Sequence, residues 1–115
     1  MKKDFVSYMS KDVNSDNVQN ILFELAARCL ANGTRIIVEQ DPTFGKEYIM
    51  VDFSPSDNSN GEFPYDGQHV CLITSCKGGD EGRYYSAHVN YIDALNEVAR
   101  IILADGFIQM YIETY

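Results

Sequence analysis

Two stretches of the chain repeat their apolar residues every three or four positions. Val18, Ile21, Leu22, Leu25, Ala26, Cys29 and Leu30 form one stripe; Ala94, Leu95, Val98, Ala99, Ile102 and Leu103 form the other. This spacing predicts amphipathic helices that bury one side. The first is expected from about Asn17 to Asn32. Asp16 is its expected N-cap, with Gln19 completing a capping box, and Gly33 stops it. The second is expected from about Tyr91 to Asp105, opened by Asn90 and stopped by Gly106. Leu22, Glu24, Ala26, Leu30, Ala31 and Gly33 recur at a fixed offset as Leu95, Glu97, Ala99, Leu103, Ala104 and Gly106. Any amphipathic helix that ends at a glycine before a strand produces this likeness, so a duplication is the weaker explanation.

Between and after the helices the period changes to two. Thr34 to Gln40 is β-branched and apolar. In Lys46 to Phe53 the residues Ile49, Val51 and Phe53 alternate with Tyr48, Met50 and Asp52. Alternation marks half-buried strands, and Asp41-Pro42-Thr43-Phe44-Gly45 between them has turn chemistry. Further strands are expected at about Gln68 to Cys76 and Gly82 to Val89, turned by residues 77–81. A last strand, Phe107 to Glu113, puts Ile108, Met110 and Ile112 on one face. Phe5 to Met9 is a candidate short first strand. The order (β)αββββαβ predicts an α+β fold: one layer of about five mostly antiparallel strands with both helices packed on one face.

At 115 residues the chain is expected to form a single domain, 1–115. Within it, residues 54–67 are too polar for the core and read as a long acidic surface loop. From Glu47 to Cys76 there are five acidic side chains and no Lys or Arg. Loops of this length in small domains are often functional. Phe63 and Tyr65 flank Pro64 within it, beside Asp57, Glu62 and Asp66.

The net charge of −8 disfavours direct nucleic-acid binding and anionic membranes, since both contacts need Lys and Arg. It favours a basic partner. Neither a signal-peptide pattern nor a membrane-length apolar run occurs, and the three cysteines form no even framework. Reduced thiols and a cytoplasmic location are expected.

The candidate chemistry is sparse. His69 and Cys71 share a strand face. A tight turn through Gly78-Gly79 sets His69 opposite His88, whereas a four-residue turn sets Cys71 there. In both registers His69, Cys71, Ile73, Ser86 and His88 share one face, and Val70, Leu72, Ala87 and Val89 make the better core on the other. A Cys–His nucleophile pair or a metal site with Cys76 is conceivable, but CxxC and HxxxH spacings are missing and Cys76 has the wrong parity. Residues 77–83 are Gly-rich yet lie between strands, where a phosphate cradle would need a helix start. Residues 56–67 lack the first and last acids of a calcium loop. No catalytic residue, metal or cofactor is therefore expected.

Eight Tyr and six Phe stand against no Trp, and Tyr is enriched at interfaces. By alternation, Tyr85 is expected on the core side and Tyr84 on the side of Ser86 and His88. The reading that emerges is a small non-enzymatic binding protein. It would dock on a basic surface of a protein partner through Asp57, Glu62, Phe63, Tyr65, Asp66 and Tyr84. An antagonist of a nucleic-acid-handling protein fits this charge, as inhibitors from phages and mobile elements do, and a homodimer is compatible with it. The alternatives are a small-molecule binder using the polar sheet face and the long loop, or a small enzyme using Cys71 with His69 or His88.

Overall fold

Both apolar stripes become helices, and each ends at its glycine. The computed structural model describes residues 7–41, 47–53, 70–77 and 80–113, with backbone alone at 41, 77 and 80–85. Helix α1 spans Val18–Asn32 and helix α2 spans Tyr91–Asp105. Gly33 takes φ 69° and donates its N–H to the Cys29 carbonyl at 2.7 Å. A left-handed residue here satisfies a carbonyl that the helix leaves open. Asn90 caps α2 as expected, accepting the Asp93 N–H at 2.8 Å. Asp16 does not cap α1. Instead Asn14 and Asn17 hold one another: Asn14 Oδ1 accepts from the backbone N–H of Asp16 and of Asn17, and Asn17 Oδ1 accepts from that of Asn14. Gln19 closes no capping box. Its amide donates across to Asn96 Oδ1 on α2 at 2.8 Å.

The strands are β1 Ser7–Met9, β2 Arg35–Asp41, β3 Glu47–Asp52, β4 Cys71–Lys77, β5 Asp80–His88 and β6 Gln109–Glu113, with one turn of 3-10 helix at Ser10–Asp12 after β1. They form one six-stranded sheet in the order β1-β6-β2-β3-β4-β5. Every pairing is antiparallel. The fold is therefore α+β with the expected element order, and the optional first strand is present. The pairings make β1 parallel to β2 in direction, with β6 between them, and β5 parallel to β6. Helices α1 and α2 make these two crossovers, so they run antiparallel to one another.

Side chains from both helices and one sheet face form one core. Ile112, Ile36, Val51, Ile73 and Ser86 are consecutive partners across β6, β2, β3, β4 and β5. Met110, Val38, Ile49 and Ser75 make the next row, with Tyr84 as Ser75's partner. Leu22, Leu25, Leu95 and Val98 pack onto these rows at 0–1% exposure. Fully burying such a side chain stabilises by about 1.5–3 kcal/mol.

Three expectations need correction. The core face of β4 and β5 is that of Cys71, Ile73, Ser86 and His88, whereas Leu72 and Ala87 point the other way and Val89 is exposed. Both faces of β4 are apolar, so alternation could not decide between them. Tyr85 consequently pairs with Thr74 on the non-core face. Leu30 and Leu103, counted in the buried stripes, are exposed. Lys77 is paired with Asp80. A register shift after Ser75 then sets Cys71 opposite His88. The Lys77–Asp80 pairing and the Cys71–His88 pairing belong to different registers, and the irregularity between Ser75 and Cys76 absorbs the difference.

The likeness between the helix–strand units stops at the strands. Core-facing positions begin at the third residue after Gly33, Ile36, but at the fourth after Gly106, Met110. A one-residue slip exchanges the faces of a strand, so the second unit needs one more residue after its glycine.

Candidate functional site

Two places in the fold collect polar side chains: the β5 edge under α2, and the sheet face that the helices leave bare.

At the first, the Cys–His proximity that the longer register predicts is present. Cys71 and His88 are paired on neighbouring strands. The Cys71 thiol is fully buried. Burial, with the charges of Asp52 and Glu97 adding to it, pushes its pKa up to about 12. A thiol held neutral there is a packing group and not a nucleophile at neutral pH. His88 instead meets Glu97 of α2. The His88 Nε2 lies 2.9 Å from Glu97 Oε1 and 2.8 Å from Ser86 Oγ, and Ser86 Oγ donates to Glu97 Oε1 at 2.9 Å. Both contacts to the imidazole fall on the same nitrogen. A nucleophilic relay needs the acid on one ring nitrogen and the hydroxyl on the other. The triangle therefore pins α2 to the edge strand, with its polar groups satisfied in place. His69 lies outside the described residues.

The second place is the opposite face. Among the described residues, no helix packs on it. One row runs Ser7, Tyr111, Ile37, Met50, Thr74. The next runs Met9, Gln109, Glu39, Tyr48, Cys76, and the third runs Glu113, Arg35, Asp52, Leu72, Ala87. At the centre is an open depression of about 470 Å³, walled by Tyr48, Tyr111, Met50 and Glu39, with Ile37 beneath and Arg35 and Glu113 at one end. Ile37 is only 4% exposed, covered by its row neighbours.

The polar groups of this face are positioned. Tyr111 donates its hydroxyl to Glu39 Oε2 at 3.0 Å, and Gln109 Nε2 donates to Glu39 Oε1 at 2.8 Å. Glu39 of β2 is thus held by two side chains of β6. Burial, then the bond to Glu39, pushes the Tyr111 phenol up to about 12. Arg35 Nε pairs with Glu113. Tyr48, Tyr111, Met50 and Arg35 are of types enriched where proteins meet, whereas the carboxylates among them are of a type depleted there.

Of the residues expected to bind a partner, Asp57, Glu62, Phe63, Tyr65 and Asp66 lie outside the described residues. Tyr84 is opposite Ser75, in a row of the helix-covered face. Sequence reasoning missed Glu97 and Glu39. Glu97 borders the buried stripe of α2, where a carboxylate beside a Ser-x-His strand is a usable signal. Glu39 gave none, because its partners come from β6, which is distant in sequence. The described residues contain no group of three or more His, Cys, Asp or Glu placed to hold a metal ion. No described helix is long and apolar enough to cross a membrane. No family model, curated protein or solved structure matches this chain.

Proposed function

We propose that this chain is a non-enzymatic binding protein that docks the helix-free face of its sheet on a basic surface of a protein partner. The observation that carries this reading is the Glu39 carboxylate, fixed by Tyr111 and Gln109 at the rim of a depression shared with Tyr48 and Met50. Asp52 and Glu113 flank Arg35 in the row on the far side of Ile37. The net charge of −8 supplies a long-range field of the same sign. Such a field steers basic surfaces into contact, and the buried aromatics then set the lifetime of the complex. A partner that handles nucleic acid fits this chemistry, because its phosphate groove is a basic surface that a carboxylate-bearing face can occupy. An intracellular antagonist of such a protein is the biological form of the proposal.

The test is capture from the native host's lysate at low and high salt, followed by binding to the purified captured protein. The double change Glu39→Gln, Asp52→Asn should slow association and flatten its salt dependence, and Tyr48→Ala should speed dissociation. A Gly/Ser replacement of residues 55–66 compares the loop with the sheet face. Undiminished affinity in both sheet-face variants would remove the face from the proposal.

A second reading rests on the size of the depression. About 470 Å³ lies within the range of small-ligand pockets, roughly 300–1,000 Å³. A metabolite that raises the melting temperature of the wild-type protein, and not of Tyr48→Ala, would favour it.

A further inference from the structure

Helix α1 has a second stripe on its outer side. Asn20, Phe23, Ala27 and Leu30 follow one another at spacings of three, four and three, and all are exposed. This is the a/d spacing by which one helix seats against another. The stripe is apolar where a solvated surface would be charged: Phe23 is 42% and Leu30 44% exposed. Every exposed residue of α1 except Glu24 is uncharged, in a chain whose net charge is −8.

The neighbouring helix widens the strip. Gln19 is bonded to Asn96, and Leu103 shares a surface depression with Val18 and Gln19. Since the helices run antiparallel, Phe23, one turn on from Gln19, and Ile92, one turn back from Asn96, lie in the same direction from the Gln19–Asn96 bond. Ile92 is 60% and Leu103 51% exposed. Of the six exposed large apolar side chains among the described residues, four lie on the outer sides of these two helices.

We infer that the outer seam of α1 is the contact surface for a second copy of this chain, joined by antiparallel packing of α1 on α1 about a twofold axis beside Ala27. The occupant follows from charge and pattern. Two copies of an acidic protein repel least where acidic charge is sparse, and on the outer side of α1 Glu24 is the one exposed charge, with Arg100 of α2 at the edge of the strip. The large–small–large order Phe23, Ala27, Leu30 is self-complementary in the antiparallel sense: Phe23 of each copy seats against Leu30 of the other, and Ala27 lets the backbones approach. The flank supplies one charge of each sign, and the same twofold brings Glu24 toward Arg28 of the other copy. A helix of fifteen residues is about 22 Å long. One such seam falls below the roughly 800 Å² per partner of a standard interface, so the dimer is weak and concentration-dependent. It leaves the opposite sheet face free.

The experiment is sedimentation velocity on the full chain from about 1 μM to about 1 mM, the span over which a weak dimer fills. Wild type should pass from monomer to dimer. Phe23→Glu, which sets a carboxylate on the seam of each copy, should stay monomeric throughout with its melting temperature nearly unchanged. Should that variant fold poorly, Ala27→Cys decides: mild aerobic oxidation should couple it into a disulfide dimer faster than Asn20→Cys, because only the former sits beside the axis. Monomeric wild type at every concentration, dimerisation undiminished in Phe23→Glu, or equal coupling of the two cysteine variants would each overturn the inference.

Discussion

The two faces of the sheet solve opposite problems. The helix-covered face is mostly apolar along β6, β2, β3 and β4, and among its described residues the polar cluster is at β5, where Ser86 and His88 close onto Glu97. The bare face sets Tyr48, Met50, Ile37 and Tyr111 among Glu39, Asp52, Glu113 and Arg35. Under the helices a polar group needs a partner within the chain, because an unpaired buried donor or acceptor costs about 1–3 kcal/mol. On the bare face water or a docking partner can supply it. Polarity on the covered face therefore serves cohesion, and polarity on the bare face is available for recognition.

The sharpest way to break this contrast is truncation. Leu25→Ala on α1 should lose about 2–5 kcal/mol in urea unfolding, from transfer and cavity terms together. Met50→Ala on the bare face should lose less than about 1 kcal/mol, since less area returns to water. Equal losses would mean that the bare face is a second core.

The polar island tests the cohesion argument. Glu97→Ala strands both Ser86 and His88 and should cost on the order of 1–3 kcal/mol. Glu97→Gln keeps an acceptor and should cost less. Neither change should alter partner binding, because the cluster lies on the covered side.

Alkaline pH separates the faces by titration. Cys71 and Tyr111 are both neutral when protonated, and folding raises the proton affinity of each. Their contributions are whole below the unfolded values of 9.0 for the thiol and 10.0 for the phenol, and are lost as pH climbs toward about 12. The slope is at most about 1.4 kcal/mol per pH unit for each group. Cys71→Ala should flatten the fall in melting temperature from pH 9 upward. Tyr111→Phe should flatten it less, and only above pH 10, because solvent screens the more open site.

A small stability effect is expected where the functional effect is largest. Glu39→Gln, Asp52→Asn should move stability by only about 0.5–1.5 kcal/mol, because each half-buried site keeps a side-chain acceptor, while weakening partner affinity. A large loss of stability with affinity intact would reverse the assignment of this face from recognition to cohesion.

The sequence by itself determined what depends on local period and local chemistry. Both helices, their glycine stops, the Asn90 cap, the β2–β3 hairpin and the element order follow from side-chain spacing and backbone preference, which act within a few residues. What the period leaves degenerate, only the tertiary structure decided. Strand β4 carries apolar residues on both faces, so the choice of Cys71 and Ile73 for the core over Leu72 waited on which face the two helices cover. Leu30 and Leu103 lie at the edges of their stripes, and the antiparallel packing of the helices left them outside. Glu39 acquired its role from Gln109 and Tyr111, residues about seventy positions away. Pairing across that distance is set by the order of strands in the sheet, and strand order arises from the competition of whole elements for one core rather than from the residues of any one of them.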